Sequence, residues 1–358
     1  MLSVGINASP LAAPRTGVGR YIAGLLAALE RAAPPDARCV PLFAPRAVLE
    51  RPGGAMSRAF ALARTLARLL PAPYELAQAA RAVALAARPP TVYHETNHAA
   101  PPFAGPIVLT IHDLSTLRFA STQDPARVRH FARALRRGAP RAARVVVPTA
   151  AIAHEVVDVL AVPRERVRVV PHGVDARFTA EGARARPVGR PYVLYVGALN
   201  ARKGIETLMA AFAALPAAVR RAHALVLAGP REAGASPSGE ATWLGYVPDD
   251  ELPALVRGAA AFCYPSRYEG FGLPLLEAMA SGVACVASDD PALVEIAGGC
   301  ALHAARGDPE ALAAALARAL EDSALRADLA LRGPRRAAQF TWERSAQAHL
   351  RAYREAAG

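Results

Sequence analysis

The sequence predicts an α/β protein built on two doubly wound parallel sheets, and three observations lead to this prediction. Short apolar runs typical of buried strands alternate with longer Ala-, Leu- and Arg-rich stretches of helical period. The alternation stops in a polar stretch at 180–191, which contains Gly and Pro, and then starts again. The chain has 358 residues, more than a single hydrophobic core usually serves. Because strands alternating with helices are typical of a parallel sheet covered on both faces, we expect one such sheet in each half.

In the first half, residues 2–7 are predicted to form a buried strand. A Pro- and Gly-rich loop follows, and then a helix over about 20–31. Apolar runs bounded by turn residues predict three more strands, at 91–93, 107–111 and 145–147.

The second half repeats this pattern after a linker near 176–190. Strands are predicted at 192–196, 224–228, 260–264 and 283–287. Helices are predicted at 205–214, 249–257 and 273–281, with three more from 309 onward. Because strand ends and helix N-termini converge in such folds, we expect a ligand site in the cleft between the two halves.

The charge of the chain is divided unevenly between the halves. The formal net charge is +12. Residues 1–178 contain 23 basic and 11 acidic residues, whereas 179–358 contain 19 of each. All the excess positive charge therefore lies in the first half.

Other composition signals favour a reduced, cytoplasmic protein. The four cysteines lie far apart and form no CxxC pair, and the N-terminus lacks the pattern of a signal peptide. No run of about 18 apolar residues is free of charges, so a membrane span is not expected.

The densest polar motif follows the predicted strand that ends at Tyr264. Glu269 precedes a helix that Pro274 helps to start, and Glu277 lies within that helix, eight positions later. The intervening loop contains two glycines, so it offers backbone N–H groups and the positive end of a helix dipole to an anion. The spacing predicts that the two carboxylates bind different parts of one extended ligand. The alternative is that Glu277 is a solvated helix residue and the glycines only form a turn.

A second motif, at 196–204, also follows a strand and opens a helix. It places Arg202 beside Lys203, the only lysine in a chain with 41 arginines. Arg binds phosphate as a planar fork and Lys as a compact point charge. The pair therefore predicts a diphosphate site, and the alternative is two surface charges.

The first half contains two further candidate contacts. His112 follows a predicted strand, and at such an edge a His faces the ligand crevice more often than the core. A half-buried structural His is the alternative. Gly17 and Gly19 resemble the start of a dinucleotide fingerprint, but Ile22 stands in place of its third Gly. We expect this loop to approach a ligand phosphate or sugar rather than to bind NAD.

No metal site is expected from the sequence. Residues 94–98 match the H-E-x-x-H pattern of zinc proteases, which requires a helix. This run follows a short strand directly, and Pro101 and Pro102 after it oppose a helix. The chain also lacks an Asp-x-Asp pair of the kind that holds a metal on a nucleotide diphosphate.

In combination, these motifs resemble the family-4 retaining glycosyltransferases of the GT-B fold. The resemblance covers nearly the whole chain and is strongest at 192–289. It implies an acceptor-binding Rossmann-like domain at 1–178 and a domain at 179–338 that binds a nucleotide-sugar donor. It also implies a last helix at 339–358 that crosses back to the first domain.

The resemblance implies roles for individual residues as well. Arg202 and Lys203 would bind the donor diphosphate, and Glu269 would hold hydroxyls of the transferred sugar, with His112 beside its reacting face. Glu277 would accept the ribose hydroxyls. The donor-binding positions implied are Gly17, Gly19, Val247, Asp249, Phe271, Gly272, Leu273 and Glu277. The family mechanism, front-face attack with the leaving phosphate helping to deprotonate the acceptor, implies retention of configuration and needs no metal or other cofactor.

The run 93–119 resembles bacterial mannosyltransferases that build lipopolysaccharide O-chains or other cell-surface glycans. Asp249 is suited to accept the N1–H and N2–H₂ donors of guanine, which favours GDP-mannose over a UDP-sugar. Its alternative role is a helix N-cap before Asp250 and Glu251. A UDP-sugar donor therefore stays open.

The basic first half suggests a partner for the acceptor side. Arginines crowd residues 127–144, and 56–70 has the pattern of a basic amphipathic helix. Such segments suit an anionic membrane surface or a lipid-linked acceptor, which predicts a cytoplasmic protein with peripheral membrane contact. Solvated helix faces are the alternative. A basic nucleic-acid-binding protein is the rival from another class, but the first half carries no basic motif interleaved with aromatic residues.

Overall fold

The computed structural model of the chain forms two compact units. One unit consists of Met1–Gly173 with Trp342–Gly358, and the other of Val174–Thr341. The residues that the structure describes are 1–12, 17–44, 73–120, 124–231 and 240–358. The predicted basic helix at 56–70 lies outside them.

The first unit is built on one six-stranded parallel sheet. Its strands, β1 to β6 in chain order, are Leu2–Asn7, Ala37–Leu42, Val92–Glu95, Ile107–Thr110, Arg144–Val147 and Val167–Val169. They are arranged in the order β2-β1-β3-β4-β5-β6. Helices α1 to α5 are Gly17–Ala32, Pro73–Ala87, Ser115–Arg118, Pro125–Gly138 and Ala150–Leu160.

The second unit repeats this plan. Strands β7 to β12 are Tyr192–Val196, Ala224–Ala228, Ala241–Gly245, Ala261–Tyr264, Cys285–Ser288 and Leu302–Ala304. They form a parallel sheet in the order β12-β11-β10-β7-β8-β9. Helices α6 to α12 are Ile205–Ala213, Ala217–Ala222, Leu252–Gly258, Leu273–Ala280, Pro291–Ala297, Pro309–Glu321 and Ser323–Ala337. The predicted α/β class with two doubly wound parallel sheets is confirmed.

Four strands are absent from the sequence prediction, and they share one position in the fold. Strands β2, β6, β9 and β12 are the two edges of each sheet. An edge strand is less enclosed than a central one; β9, for example, has no fully buried residue, whereas every residue of β7 is buried. Strand β2 even contains Pro41, which a central strand does not tolerate.

The boundaries between the units lie a few residues from the predicted 178/179 and 338/339. The Val174 N–H donates to the carbonyl of Phe340 over 3.0 Å, and Phe178 and Phe340 are both buried in the core of the second unit. Residues 174–178 and 339–341 therefore belong to the second unit. The last helix, α13, begins at Trp342 and ends at Ala357.

Helix α13 packs on α1 in the first unit at a glycine. A side chain at Gly24 of α1 would collide with the indole ring of Trp342. Both helices bury an apolar face in the same core, which includes Ile22 and Leu350. A small residue on α1 thus allows the large ring on α13 to lie against the helix backbone.

A buried chain of hydrogen bonds also joins α13 to this unit. The His349 Nδ1–H donates to the Ser345 carbonyl over 2.8 Å, so its Nε2 accepts the Tyr21 hydroxyl over 2.8 Å. The Tyr21 oxygen in turn accepts from Thr110 Oγ1 over 3.0 Å. Burial lowers the pKa of His349 to about 4, which keeps its Nε2 available as an acceptor.

The same chain continues through strand β3 and returns to α13. His94 Nε2–H donates to Thr110 Oγ1 over 2.7 Å, and His94 Nδ1 accepts the hydroxyl of Tyr353 over 2.8 Å. Burial, with the neighbouring His349 and His112, holds the pKa of His94 well below its usual value. The donor and acceptor roles along the chain are therefore consistent at neutral pH.

No helix in the described ranges is long and apolar enough to cross a membrane.

Candidate functional site

The two predicted cations lie on a short 3-10 turn, Ala201–Lys203, after strand β7. The Asn200 side chain accepts the Lys203 N–H over 3.1 Å and so caps the turn. Gly204 ends the turn with a φ of 71°, and a side chain there would collide with the Pro265 carbonyl. The turn is thus packed against the loop that follows β10, the strand next to β7.

Lys203 makes direct contact with the first of the two predicted carboxylates. Its Nζ donates to Glu269 Oε1 over 2.5 Å and to the Tyr264 hydroxyl over 3.3 Å. Arg202 Nη1 lies 4.0 Å from Glu269 Oε2 and donates to the Tyr268 carbonyl over 2.8 Å. Residues 66 and 67 positions apart along the chain therefore form one cluster of two cations and a carboxylate.

Electrostatics hold Glu269 in its charged form. The residue is 7% exposed, and burial alone would raise its pKa. The charges of Lys203 and then Arg202, with the hydrogen bond from Lys203, outweigh that effect and place the pKa below its usual value. Glu269 is thus an ionised hydrogen-bond acceptor at neutral pH, and the two cations beside it can bind an anionic ligand.

The helix that follows Glu269 starts at a glycine in a conformation that other residues rarely adopt. Gly272, the N-cap of α9, has a φ of 97°, and a side chain there would meet the Leu293 Cδ2 atom. Among the described residues, no side chain caps this helix, while Phe271 and Leu273 on either side of the glycine are buried. The first turn of this helix therefore presents backbone N–H groups rather than a capping side chain, which is the arrangement that binds anions at a helix N-terminus.

The structure excludes one alternative for Glu277 and one for Asp249. Glu277 is 3% exposed, so it is not a solvated helix residue. Helix α8 begins at Leu252 rather than at 249 as predicted, and its N-cap is Glu251, so Asp249 is not the N-cap. Val247, two residues earlier, is half-buried against the core of the second unit.

Arg177 is a polar residue of this region that the sequence analysis missed. Its Nη1 donates to the Asp249 carbonyl over 3.1 Å, and its Nη2 donates to Asp175 Oδ2 over 2.6 Å. The bond to Asp175 raises the pKa of Arg177, and the charges of Asp249 and Glu277 act in the same direction. The Asp-x-Arg sequence at the start of the linker, residues 175–177, was the available signal. Arg177 connects the neighbourhoods of the two predicted nucleoside contacts.

The predicted contacts of the first unit lie near one another within that unit. Gly17 begins α1 and Gly19 is buried in its first turn. Two residues further on, the Tyr21 ring lies 4.8 Å from the ring of His112, measured between centroids. The glycine turn and His112 therefore share one neighbourhood.

His112 is neutral and its donor nitrogen is engaged. Its Nε2–H donates to the Thr96 carbonyl over 3.0 Å. Burial, with the nearby charge of His98, lowers the pKa of His112 to about 4. In this tautomer Nδ1 is an acceptor, suited to a ligand hydroxyl. The residue is half-buried, and its Nε2–H makes a structural hydrogen bond, as the alternative of a half-buried structural His predicted.

Residues 94–98, which match the zinc-protease pattern, do not form the helix that such a metal site requires. His94 and Glu95 end strand β3 rather than lying on a helix. Within the described ranges, no group of three or more His, Cys, Asp or Glu residues could hold a metal ion.

Comparison with known proteins then assigns the chain to a family. Residues 15–178 match the family model described as "Glycosyltransferase Family 4", and residues 177–336 match "Glycosyl transferases group 1". O-antigen chain mannosyltransferase B of Escherichia coli is 31% identical over 282 residues, which cover 74% of each chain. The chain is a member of glycosyltransferase family 4.

Solved structures show that this glycosyltransferase has the GT-B fold. Sucrose-phosphate synthase from Thermosynechococcus elongatus aligns with 99% of this chain and 98% of its own at a TM-score of 0.71 and 21% identity. The Anabaena protein HepE, solved with UDP-glucose, aligns with 97% of this chain and 98% of its own at a TM-score of 0.69 and 16% identity. At these identities the likeness defines the fold and not the donor.

Proposed function

We propose that this glycosyltransferase moves a mannosyl group from GDP-mannose to a glycan or lipid-linked acceptor in the synthesis of a cell-surface polysaccharide. The transfer proceeds with retention of configuration and without a metal. The observation that carries the proposal is the cluster of Arg202, Lys203 and Glu269 at the ends of two adjacent strands. The name of the Escherichia coli relative supports the choice of mannose and of an O-antigen type of product.

The cluster supplies both charges that sugar transfer requires. As the bond to the donor breaks, negative charge develops on the departing diphosphate, and Arg202 and Lys203 stabilise it in the way a metal does in other transferases. Glu269 accepts hydrogen bonds from hydroxyls of the transferred sugar. Its cation partners keep the pKa of Glu269 low, which favours this acceptor role over nucleophilic attack.

Retention then follows from attack on the face that the diphosphate leaves. The acceptor hydroxyl approaches the anomeric carbon from that same face, and its proton passes to a phosphate oxygen of the departing nucleotide. In the first unit, Nδ1 of the neutral His112 accepts a hydrogen bond from a hydroxyl of the sugar. No protein nucleophile enters this sequence of steps.

The nucleotide base is the least constrained part of the donor. Asp249 is not the N-cap of helix α8, and its carboxylate is suited to pair with guanine N1–H and N2–H₂. Glu277 accepts the ribose hydroxyls. A UDP-sugar is the second candidate, because the structural neighbours include a protein solved with UDP-glucose.

A donor screen tests this proposal directly. The purified protein is incubated with GDP-mannose, GDP-fucose, UDP-glucose and UDP-galactose, and nucleotide release is measured with and without EDTA. We expect release from GDP-mannose that EDTA does not affect, and NMR of the product should show the donor's anomeric configuration. Replacing Asp249 by alanine should reduce the preference for GDP over UDP by roughly 10-fold, the effect of losing one charged pair of hydrogen bonds. Release from UDP-sugars alone would contradict the assignment of the donor, and inversion would contradict the mechanism.

We also propose that the first unit binds anionic membranes through helix α4. Arg129, Arg133, Arg136 and Arg137 are exposed and lie at helical spacings of four, seven and eight from the first. Among the described residues, none of the four forms an ion pair with an acidic side chain. Each such arginine favours an anionic bilayer by about 1 kcal/mol.

Vesicle flotation separates this surface from the general basicity of the chain. We expect the protein to float with phosphatidylglycerol vesicles and not with phosphatidylcholine vesicles. The triple variant R133Q/R136Q/R137Q should bind the anionic vesicles at least about 10-fold more weakly, because three favourable charges are removed. The matched control removes three exposed arginines of the second unit, R184Q/R186Q/R221Q. Equal losses in both variants, or stronger binding to DNA than to vesicles, would contradict the proposal.

A further inference from the structure

Asp290 joins the start of one helix to the loop that carries Glu269. The residue is 1% exposed and follows strand β11. Its Oδ1 accepts the N–H groups of Ala292 over 3.0 Å and Leu293 over 3.4 Å, which caps helix α10. Its Oδ2 accepts the Glu269 N–H over 3.4 Å. One buried carboxylate thus holds the backbone of a residue in the loop that follows the neighbouring strand β10.

The charged groups around Asp290 come from three loops. Glu269, from the loop after β10, carries its own partners Arg202 and Lys203. From the loop after β12, Arg306 Nη1 lies 3.8 Å from Asp290 Oδ2, while its Nε donates to Asp289 Oδ1 over 3.1 Å. His303 on the adjacent strand β12 donates through Nδ1 to the Ser288 carbonyl. Asp290 is therefore the buried carboxylate between the Glu269 cluster and the Arg306 side chain.

The two buried carboxylates ionise in different pH ranges. Burial and then the charge of Glu269 raise the pKa of Asp290 to about 6, while the cations keep the pKa of Glu269 below its usual value. As the pH falls, Asp290 is protonated first and Glu269 stays charged. The proton goes to Oδ2, because Oδ1 already accepts two N–H groups of the helix.

We propose that Asp290 is a positioning residue that holds the Glu269 backbone in place only while it is ionised. A charged acceptor binds an N–H group more strongly than a neutral one, and a protonated Oδ2 also loses its attraction to Arg306. Protonation therefore loosens the backbone of Glu269, the loop residue whose side chain binds Lys203. The inference rests on the proposed role of Glu269 in holding the sugar. It further predicts that the rate of sugar transfer falls at acidic pH, when Asp290 is protonated.

The variant Asp290→Asn separates the cap from the charge. An asparagine keeps an oxygen toward the helix N–H groups, because the reverse orientation would break the cap. Its amide nitrogen then replaces Oδ2 and cannot accept the Glu269 N–H. We expect kcat at about pH 8 to fall roughly 10-fold with little change in the Kd for GDP, as for the loss of one charge-assisted hydrogen bond.

The pH profile is the readout that a merely structural role would not move. In the wild-type protein kcat should fall as the pH decreases through about 6, and in Asp290→Asn this acidic decline should be absent. The matched control is Asp308→Asn, since Asp308 caps helix α11 in the same way, through Glu310 and Ala311. The control should keep the wild-type profile.

Two outcomes would overturn the inference, and Glu269→Gln distinguishes them. An inactive Glu269→Gln with a wild-type profile in Asp290→Asn would refute the positioning role alone. Full activity of Glu269→Gln would refute the proposed role of Glu269 and this inference with it. Unfolding of each variant is checked by its Tm without ligand, so that a loss of the fold is not read as a loss of positioning.

Discussion

Replacing Lys203 by alanine should lower the rate of sugar transfer by about 10² to 10³-fold, the usual effect of removing one donor that stabilises a developing negative charge. Lys203 is half-buried and donates to Glu269 and Tyr264, so its Nζ is fixed before the donor arrives. Steady-state kinetics and the Kd for GDP, measured by calorimetry, check the prediction. The conservative variant Lys203→Arg should recover only part of the rate, because a planar fork does not reproduce a compact point charge.

The same lysine also neutralises Glu269, and a double variant separates the two roles. In Lys203→Ala the carboxylate keeps only Arg202, which lies 4.0 Å away, so its pKa should rise. If Lys203 served only to compensate this charge, Glu269→Gln would restore GDP binding in the Lys203→Ala background. We expect no such restoration. Restored GDP affinity in the double variant would contradict the role at the diphosphate.

Replacing Tyr21 by phenylalanine should lower the free energy of unfolding of the first unit by about 2–4 kcal/mol, as expected when a buried polar chain loses its central member. The Tyr21 hydroxyl donates to His349 on α13 and accepts from Thr110 on β4. Its removal leaves the His349 Nε2 without its donor in a fully buried environment. Urea unfolding measures the loss, and hydrogen exchange in α13 should increase because this helix is docked through the chain.

The control is Tyr74→Phe, whose hydroxyl has no hydrogen-bond partner among the residues that the structure describes. Its effect should be within about 0.5 kcal/mol of zero. Equal unfolding free energies for the two variants would refute the stabilising role of this chain of hydrogen bonds.

The same chain of hydrogen bonds predicts that the stability of the first unit depends on pH. Burial lowers the pKa of His349 from 6.5 to about 4, so the unfolded state binds more protons between these values. Stability of the first unit should fall as the pH decreases through that range.

The central strands were predictable because burial on both faces leaves a dense apolar run. The prediction for β7 and β8 matches their observed bounds, residues 192–196 and 224–228. The edge strands β2, β6, β9 and β12 were missed because an edge lacks a neighbour on one side, so its sequence is mixed. Their place in the sheet depends on hydrogen bonds to a partner strand that is remote in sequence, which local periodicity does not report.

Individual site residues show the same division. Lys203 and Glu269 were identified from residue type and position after a strand, but their direct contact follows from the adjacency of β7 and β10. Asp249 had two interpretations, and the start of α8 at Leu252 removed one of them. Asp290 precedes Pro291, a typical helix N-cap signal, yet its bond to Glu269 depends on the adjacency of β10 and β11.

The sequence by itself determined the fold class, the presence of two similar α/β units and the residue types available for a diphosphate and a sugar. These features are encoded locally, in hydrophobic period, turn residues and charge. Only the tertiary structure decided that Glu269 is paired with Lys203, that Asp290 anchors the same loop and that α13 is docked through Tyr21 and His94. Each of these is a contact between residues far apart in the chain. Its energy comes from burial and complementary hydrogen bonding after the strands have taken their order, so no local pattern specifies it in advance.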